Sequence, residues 1–368
     1  MTGEDPQAKL KELVAAVKKS PNIEIITSAE IESMSGYVGN FETQIKGREG
    51  VIATGTIIMA TGANELKPKG LYLYGEDKRV LTQLEFEGEL AETGKAPGSV
   101  VMIQCVGSRE EDRPWCSRVC CTNAVKNAIK VKEMSPDTPV YILYRDLRTY
   151  GFKEDFYRKA SELGVVFVRF DEEKTPKVKA TSKGIDVVVE DMTLGRTVHL
   201  TADRLVLSSA ILPQADNEVF GQLLKVPISK DGFFLEAHMK LRPVDFATEG
   251  VFLAGMCHSP KFIDESIAQG VGAVARAVTI LSKDTLVSEG IIAMVNEDFC
   301  DGCGICRPIC EYNAIEIDDE KKLAIINEGL CKGCGACVGA CPSGAMEQKG
   351  YKDNQILAMI EAALQEVN

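Results

Sequence analysis

The sequence predicts an α/β protein followed by a small cysteine-rich module. Two observations support this fold class. Up to residue 290, apolar strand-like runs alternate with helical runs, the pattern of right-handed βαβ units in a parallel sheet. Beyond residue 290 the chain changes to short segments dominated by Cys and Gly. With 368 residues, the chain is long enough for two or three domains with hydrophobic cores.

The first elements, in order, are a helix and several strands. Apolar residues recur at helical spacing over residues 8–19, which predicts an amphipathic helix. Residues 22–27 are predicted to form a strand, residues 36–47 a strand and a turn, and residues 51–60 further β-structure. The last of these runs into the small-residue turn Ala60-Thr61-Gly62.

The middle of the chain carries the βαβ pattern. Residues 99–105 form a continuous apolar run of the kind that parallel sheets bury on both faces. The predicted elements that follow are a helix over 117–132, a strand over 140–144, a helix over 152–163, a strand over 165–170, short strands over 185–208, a strand over 251–255, a helix over 264–281 and an amphipathic helix over 352–368.

Composition excludes several classes of function. The net charge is −12 and no cluster of Lys and Arg is interleaved with aromatic residues, so we expect no nucleic-acid partner. The first residues have neither a basic nor an apolar segment of a signal peptide. The apolar stretch from Val271 to Leu281 contains Arg276 and is far too short to span a bilayer. We therefore expect a cytoplasmic protein with no membrane span.

Thirteen cysteines are the most informative feature. In a reducing compartment, cysteines at short fixed spacings bind metal more often than they form disulfides. Twelve of them fall into three tight groups, and Cys257 remains over as an expected small core residue. One internal repeat is present, because two of the groups have the same spacing at a constant offset of 31 residues: Cys300, Cys303, Cys306 and Cys310, then Cys331, Cys334, Cys337 and Cys341.

This repeat predicts two [4Fe–4S] clusters of bacterial-ferredoxin type. In that pattern the first three cysteines of a run wrap one cluster and the fourth ligates the other. One predicted ligand set is therefore Cys300, Cys303, Cys306 and Cys341, and the other is Cys331, Cys334, Cys337 and Cys310. Structural zinc is the alternative, but zinc ribbons use paired Cys-x2-Cys without the further cysteines. Glu311 follows Cys310 where Pro342 follows Cys341, which is a local departure.

The third group comprises Cys105, Cys116, Cys120 and Cys121, between a predicted strand and the start of the next helix. A helix N-terminus favours the negative charge of a thiolate-ligated cluster. From spacing alone a [4Fe–4S] cluster, a zinc site and redox-active or merely buried thiols all stay open. Arg109 and Arg118, which lie nearby, either balance cluster charge or belong to the surface.

The motifs around this group resemble the A subunits of heterodisulfide reductases. The resemblance is carried by Ile103-Gln-Cys-Val-Gly-Ser-Arg109 and by Trp115-Cys-Ser-Arg-Val-Cys-Cys-Thr-Asn-Ala-Val-Lys126. Ser35-Gly-Tyr-Val-Gly-Asn-Phe41, Gly255-Met-Cys-His-Ser-Pro-Lys261 and the C-terminal cysteine module are also similar, so that the resemblance covers nearly the whole chain. It implies thioredoxin-reductase-like Rossmann-type domains, a third [4Fe–4S] cluster on Cys105, Cys116, Cys120 and Cys121, and a catalytic lysine near the flavin at Lys126.

The resemblance also implies an FAD site. Residues 56–62 and 250–255 look like the turn and the return strand beside FAD, and the helix from Asp264 directs its N-terminus at the flavin. The implied contacts are Thr61, Gly62, Gly255, Met256, Gln269 and Gly270. However, no GxGxxG pyrophosphate loop occurs in the sequence. We expect a split protein in which a partner chain supplies that loop and shares the FAD; the rival is a chain without flavin.

In chain order, the expected domains are 1–95, the first part of an FAD-type domain; 96–212, an inserted second Rossmann-like domain with a cluster; 213–288, the return part; 289–349, a 2×[4Fe–4S] ferredoxin domain of α+β type; and 350–368, a C-terminal helix. The resemblance implies an oxidoreductase subunit that passes electrons between FAD and clusters in a heterodisulfide-reductase-type complex, with electron bifurcation involving ferredoxin. A flavin-free relay that links a hydrogenase, formate dehydrogenase or acyl-CoA reductase module is the alternative. A stand-alone pyridine-nucleotide oxidoreductase ranks last, since the second Rossmann-like strand lacks a glycine loop.

Overall fold

The computed structural model describes residues 5–286 and 290–365 and confirms the α/β class. The helices are α1 Pro6–Lys19, α2 Gln83–Thr93, α3 Cys120–Met134, α4 Glu154–Glu162, α5 Asn217–Leu224, α6 Ile263–Leu281, α7 Cys306–Ile309, α8 Ala336–Ala340 and α9 Asp353–Gln365. Short 3-10 turns lie at Gly151–Lys153 and Gly255–Cys257.

The strands are β1 Ile31–Tyr37, β2 Asn40–Ile45, β3 Val51–Thr54, β4 Ile57–Met59, β5 Ala63–Glu65, β6 Val80–Thr82, β7 Val100–Val106, β8 Val140–Tyr144, β9 Val166–Arg169, β10 Lys177–Ala180, β11 Ile185–Asp191, β12 Arg196–Ala202, β13 Arg204–Ser209, β14 Ile211–Pro213, β15 Val251–Leu253, β16 Ala293–Val295, β17 Ile315–Asp318, β18 Leu323–Ile326 and β19 Met346–Gln348. Two compact units share these elements. The first contains residues 5–28, Ile58–Ala247 and Leu253–Ala273, and the second contains Ala29–Ile57, Thr248–Phe252 and residues 274–365.

A five-stranded parallel sheet is the centre of the first unit. Its strand order is β6-β13-β7-β8-β9, and every neighbouring pair is parallel. On one face, Val100 and Met102 of β7 pack with apolar residues of α2, α3 and α4. On the other face, Val101 and Ile103 pack with the antiparallel sheet β10-β11-β12. Both faces are covered, which explains why β7 is apolar almost without interruption.

Local sequence determines where the helices beside this sheet begin. Thr82 and Glu85 form a reciprocal capping box, in which the Thr82 side chain accepts from the Glu85 N–H and the Glu85 carboxylate accepts from the Thr82 N–H. Helix α3 begins at Cys120, not at residue 117 as predicted. Arg118 has a positive φ of 55°, and the Ser117 hydroxyl accepts the N–H of Ile211, so this short segment cannot continue the helix.

The second unit contains an antiparallel sheet in the order β1-β2-β3 and the cysteine-rich module. In the module, β16 pairs with β19 and β17 pairs with β18, both antiparallel, and α7 and α8 are single short turns of helix. Its small core includes the side chains of Ala293, Ile315, Ala324 and Met346, together with cysteines of both repeats. The module is thus held together by few apolar contacts and many cysteines.

One predicted strand is wrong. Residues 22–27 are irregular, and Ile23, Ile25 and Ile26 are exposed, since an alternating apolar pattern forms a strand only where a neighbouring edge accepts it. Helix α1 forms as predicted, although its apolar residue Leu10 is 54% exposed. The end of the predicted helix over 352–368 lies outside the described residues. No helix in the described ranges is long and apolar enough to cross a membrane. The predicted domain boundaries stay predictions.

Candidate cluster and flavin sites

The first candidate cluster site is a cavity of about 330 Å³ between the two halves of the repeat. It is lined by Cys300, Cys303, Cys306 and Cys341, with Ile317, Ala324 and Met346 as apolar walls. The loop before α7 supplies the first three cysteines, and Cys341 follows α8 directly. A sulfur-lined, largely apolar cavity fits a cubane cluster, which needs four thiolates and exclusion of water.

The second candidate cluster site is its pseudo-symmetric counterpart, a cavity of about 340 Å³. It is lined by Cys331, Cys334, Cys337 and Cys310, together with Ala293 and Ile315. The structure therefore groups the eight cysteines as the repeat predicts, three from one run and the fourth from the other.

Charge and hydrogen bonding around these sulfurs suit thiolates. Burial raises the pKa of the Cys337 thiol to about 11, and the negative charges of Cys331, Cys310 and Cys334 add to this effect. Burial alone would raise the pKa of Cys341, but hydrogen bonds from Ser343 and nearby backbone N–H groups outweigh it and lower that pKa. Four thiolates so close together repel one another unless a cation is bound among them, as iron is in a cluster.

Backbone N–H groups already point at two of the ligating positions. The N–H of Ala293 donates to Cys331 Sγ at 3.3 Å, and the N–H of Ala314 donates to Cys310 Sγ at 3.3 Å. Both sulfurs belong to the second cavity. Such N–H···S bonds stabilise the thiolate form and tune the potential of a cluster.

The third cysteine group lies where the carboxyl end of β7 meets the N-terminus of α3. Cys105 is buried in β7, and Cys120 and Cys121 are the first two residues of α3. Cys116 is half-buried in the loop between these elements. Burial raises the pKa of Cys105, and the charges of Cys121 and Cys116 raise it further. The four thiols are thus close enough to influence one another electrostatically.

One cysteine pair within the third group shares a proton. Cys120 donates a hydrogen bond to Cys121, which together with burial raises the pKa of Cys120 well above its usual value. The same bond lowers the pKa of Cys121, and the backbone and charge of Arg148 also favour its thiolate. The arrangement can provide thiolate ligands at a helix N-terminus, where negative charge is stabilised.

Two strained arginines flank the third group. Arg109 has φ of +60°, contacts the Cys105 sulfur and forms an ion pair with Asp146 at 2.9 Å. Arg118 has φ of +55°, and its N–H donates to Cys116 Sγ at 3.3 Å. Cys105 itself has φ of +63°. Left-handed conformations of such residues cost about 1–3 kcal/mol each and concentrate at functional sites.

Buried polar atoms without partners surround the same group. Within the described ranges, the side-chain atoms of Gln104, Thr122 and Ser209 and the Nη1 of Arg109 are buried and have no hydrogen-bond partner. Gln104 and Thr122 are direct neighbours of Cys105 and Cys121 in the chain. Buried polar groups normally find a partner. A cluster, with its sulfur acceptors, fits this position.

Tight coordination of a single ion is a separate question. A zinc ion needs ligand atoms about 2.0–2.3 Å away. Among residues 5–286 and 290–365, no group of three or more His, Cys, Asp or Glu side chains is arranged to hold one metal ion.

The predicted flavin contacts come together in the first unit. The N–H of Gly255 donates to Gln269 Oε1 at 2.9 Å, and the Cys257 thiol lies against the backbone of Thr61 and Gly62. Met256 is half-buried in the turn between Gly255 and Cys257. A Cβ added at Gly62 or at Gly270 would meet no atom within 4 Å, and one added at Gly255 would meet only the Ser266 side chain, at 4.0 Å. Bare backbone beside open space fits the close approach of a cofactor.

Cys257 is the core residue that the sequence analysis expects. Its thiol is fully buried and donates to the carbonyl oxygens of Ala254 and Met59, at 3.2 and 3.3 Å. Burial raises its pKa. The thiol therefore belongs to the packing of this turn.

A polar network in the same turn escaped the sequence analysis. His258 Nε2 lies 2.7 Å from the Glu236 carboxylate, and His258 Nδ1 lies 3.1 Å from Lys261 Nζ and 2.9 Å from Gln269 Nε2. Two donors on Nδ1 require that nitrogen to accept, so the proton is on Nε2 and faces Glu236. Burial and the Lys261 charge lower the pKa of His258. The only signal in the sequence is the resemblance of residues 255–261 to known proteins.

Lys126, the predicted catalytic residue, lies on α3 and forms an ion pair with Glu87 of α2 at 2.5 Å. Its side chain is about one-third exposed. The ion pair fixes the position of its ammonium group in this structure, and its predicted role near a flavin stays a prediction.

Comparison with known proteins supports the cysteine module first. Residues 299–345 match the family described as a 4Fe-4S dicluster domain. The two cavities of the second unit therefore lie in a domain of known type, and the chain contains a dicluster domain.

Curated relatives match most of this chain, and all three described here are A subunits of heterodisulfide reductases. The chain is 40% identical over 333 residues to that of the H(2):CoB-CoM heterodisulfide,ferredoxin reductase of Methanothermobacter marburgensis, covering 86% of this chain and 50% of the relative. It is 42% identical to the second iron-sulfur A protein of the CoB–CoM heterodisulfide reductase of Methanopyrus kandleri, covering 85% and 50%. It is 37% identical to that of the Ferredoxin/F(420)H(2)-dependent CoB-CoM heterodisulfide reductase of Methanosarcina acetivorans, covering 73% and 36%. The chain thus spans about half the length of the first two relatives, or less for the third.

Solved structures are more distant. Thioredoxin reductase of T. acidophilum has 15% sequence identity and a TM-score of 0.47, covering 75% of this chain and 81% of that one. The flavoprotein disulfide reductase RclA of Escherichia coli has 11% identity and a TM-score of 0.48, covering 80% and 66%.

Proposed function

Since this chain is a homologue of the A subunits of heterodisulfide reductases over most of its length, we propose that it is the electron-transfer subunit of a heterodisulfide-reductase-type oxidoreductase complex. It passes electrons between FAD and [4Fe–4S] clusters. A cluster supplies one-electron transfer, and a flavin exchanges electron pairs with single electrons. The protein supplies the ligands, the apolar surroundings and the hydrogen bonds that set each potential.

The single observation that carries this proposal is the crossed grouping of the eight C-terminal cysteines in two cavities of a dicluster domain. Crossing places two clusters in one small module, which suits rapid transfer between them. We assign Cys300, Cys303, Cys306 and Cys341 to one cluster and Cys331, Cys334, Cys337 and Cys310 to the other.

A third cluster and FAD complete the proposal. The third cluster is ligated by Cys105, Cys116, Cys120 and Cys121, and its support is the shared electrostatics of these thiols and the unpaired polar atoms around them. FAD lies against Thr61, Gly62, Gly255, Met256, Gln269 and Gly270, and Lys126 acts near it. The glycine-rich pyrophosphate loop comes from outside these 368 residues, on the same polypeptide or on a partner chain.

The partners follow from the names of the relatives. One relative is named as part of a heterodisulfide,ferredoxin reductase, and another belongs to a reductase that is named as ferredoxin-dependent. We assign ferredoxin as the carrier that exchanges electrons with the C-terminal clusters. The proposed complex includes further heterodisulfide-reductase subunits, and electron bifurcation at the FAD divides electron pairs between the two cluster branches.

A flavin-free relay is the second candidate. It is favoured by one observation: the twelve proposed cluster ligands are all in this sequence, whereas the glycine loop that a dinucleotide needs is not. Such a relay would link another redox module to a partner through clusters alone.

Analysis of the native complex, purified without oxygen, tests these proposals. The expected result is about twelve iron and twelve acid-labile sulfide atoms per copy of this chain, with bound FAD. About eight of each would leave the dicluster domain and remove the third cluster. Full iron without flavin would favour the relay. About three zinc ions with hardly any sulfide would overturn the redox function altogether.

A further inference from the structure

Gln104 is an unusual residue for its position. Its side chain is 1% exposed, and within the described ranges neither its amide nitrogen nor its amide oxygen has a hydrogen-bond partner. Leaving a buried polar group unpaired costs about 1–3 kcal/mol. Gln104 stands immediately before Cys105, one of the proposed ligands of the third cluster.

We propose that Gln104 and Arg109 donate hydrogen bonds to sulfur atoms of the third cluster and raise its reduction potential. The inference rests on the third cluster of the proposed function and adds two positioning residues to it. Neither residue is itself a ligand.

The register of β7 supports the role of Gln104. Alternate residues of a strand face the same side of a sheet. Val100 and Met102 pack with Ala124 and Val125 of α3. Gln104 continues this alternation towards the end of the sheet at which α3 begins with Cys120 and Cys121. A buried amide donor thus belongs to the face of the sheet that carries two of the proposed ligands.

Arg109 approaches the group from the other ligand. Its guanidinium contacts Cys105 Sγ, and its Nη2 is bound to Asp146 at 2.9 Å. Its Nη1 is buried without a hydrogen-bond partner in the described part of the chain. The backbone carbonyl of Arg109 accepts from Arg145 Nη1 at 3.0 Å, which helps to hold the strained residue in place. One N–H direction of a fixed cation is therefore left for a sulfur acceptor.

The direction of the effect follows from charge. Reduction adds one electron to a cluster, so its sulfurs become stronger acceptors and attract a nearby cation more strongly. An amide N–H and a guanidinium beside those sulfurs stabilise the reduced form more than the oxidised form. Both residues therefore raise the reduction potential, and their removal lowers it.

Gln83 provides a matched control. It is 3% exposed and lies directly after β6, at the start of α2. Unlike Gln104, its amide is paired: it donates to Ser208 Oγ at 3.2 Å and accepts from Asn127 Nδ2 at 2.8 Å. Substitution of Gln83 breaks protein hydrogen bonds, so it reports the effect of a purely structural buried glutamine.

The test is an anaerobic redox titration of the intact complex, followed by electron paramagnetic resonance of each cluster. For Gln104→Leu we expect the ratio of reduced to oxidised third cluster at a fixed potential to fall about tenfold, a shift of about 59 mV for one electron. Arg109→Gln should shift the same signal in the same direction. The C-terminal cluster signals should not move, and Gln83→Leu should lower the unfolding temperature without moving any potential.

Each remaining outcome decides the matter. Full iron and sulfide with an unchanged third-cluster potential in Gln104→Leu and Arg109→Gln would overturn the inference and leave the third cluster in place. If Gln104→Leu does not assemble, the near-isosteric Gln104→Glu, which also removes the amide donor, decides by the same measurement. A wild-type complex with iron for only two clusters would overturn both the third cluster and this inference.

Discussion

Cys310 lines the same cavity as Cys337, although Cys306 is its nearer neighbour in the sequence. The N–H of Ala314 donates to the Cys310 sulfur, and β17 begins at the next residue, Ile315. The chain therefore leaves the first cysteine run towards the second cavity. Cys341 makes the corresponding crossing into the first cavity.

Exchange of the crossing cysteines should affect the opposite clusters. We expect Cys310→Ser to alter the same cluster signal as Cys331→Ser, and Cys341→Ser to alter the same signal as Cys300→Ser, since each pair shares a cavity. Serine keeps the size but is a poor ligand for iron in a thiolate site. Electron paramagnetic resonance of the dithionite-reduced complex measures this. If Cys310→Ser changed the Cys300 signal instead, crossed ligation would be wrong.

Two glycines at equivalent positions of the repeat should not tolerate a side chain. Gly302 and Gly333 have φ of +62° and +58°, and a Cβ on them would overlap the backbone of Lys322 and of Ile291 respectively. Gly302→Ala and Gly333→Ala should each destabilise the module by more than about 2 kcal/mol, since the left-handed strain and the overlap act together.

The comparison is with Gly344→Ala, where φ is +66° but a Cβ meets nothing within 4 Å. That variant carries the strain alone and should retain its iron. Iron content and the unfolding temperature of the anaerobic protein are measured for the three variants. Equal effects at all three positions would mean that the backbone overlap is relieved.

How far the sequence predicts this molecule depends on the range of the interaction. The dicluster domain is predictable because ligand spacing is local, and the parallel sheet because an unbroken apolar run such as Val100–Val106 has few alternatives. The pairing of Arg118 with Glu265 is not predictable, because 147 residues separate them and no local pattern encodes their approach. The false strand over 22–27 has the same origin, since its pattern does not reveal whether a partner edge exists.

Arg118 should control how firmly the third group holds iron. Its guanidinium bonds to Glu265 at 2.7 Å, to the Tyr150 hydroxyl at 2.5 Å and to the carbonyl of Pro260 at 3.2 Å, while its N–H reaches Cys116. Arg118→Gln loses these charged hydrogen bonds, worth about 1.5–3 kcal/mol each when well formed. We expect iron to leave the third site about tenfold faster in a chelator, corresponding to about 1.4 kcal/mol.

The control for that experiment is Arg158→Gln, which removes an arginine from an exposed ion pair with Asp155. Its iron should leave at the wild-type rate. Release from the C-terminal clusters, followed by their own signals, should be unchanged in both variants. An unchanged third-site rate in Arg118→Gln would show that Cys116 is held by other contacts.

Lys261 should make stability depend on alkaline pH. It is 7% exposed, and burial lowers its pKa from 10.5 to about 8, assisted by Arg118. Glu265, Glu236 and the Cys257 thiolate oppose this shift. Below pH 8 the amine is protonated in both the folded and the unfolded chain, so the cost of burying its charge is fully present.

Between pH 8 and 10.5 the folded protein releases this proton while the unfolded chain keeps it. The unfolded state then binds more protons, and the free energy of unfolding contributed by Lys261 rises with pH across this window. Lys261→Met removes the cost at every pH. We therefore expect the variant to be more stable than the wild type at pH 7, by on the order of 1 kcal/mol, and the difference to shrink towards pH 10.

The measurement is the anaerobic unfolding temperature at one scan rate, taken from pH 7 to pH 10 for both proteins. The difference between them cancels the titration of groups that both contain, apart from neighbours such as Cys257 that respond to the lost charge. Lys230→Met, which removes an exposed lysine, should give a difference that does not vary with pH. A wild type as stable as Lys261→Met at pH 7 would mean that Glu236, Glu265 and His258 already stabilise the buried ammonium in full, and that its pKa is not lowered.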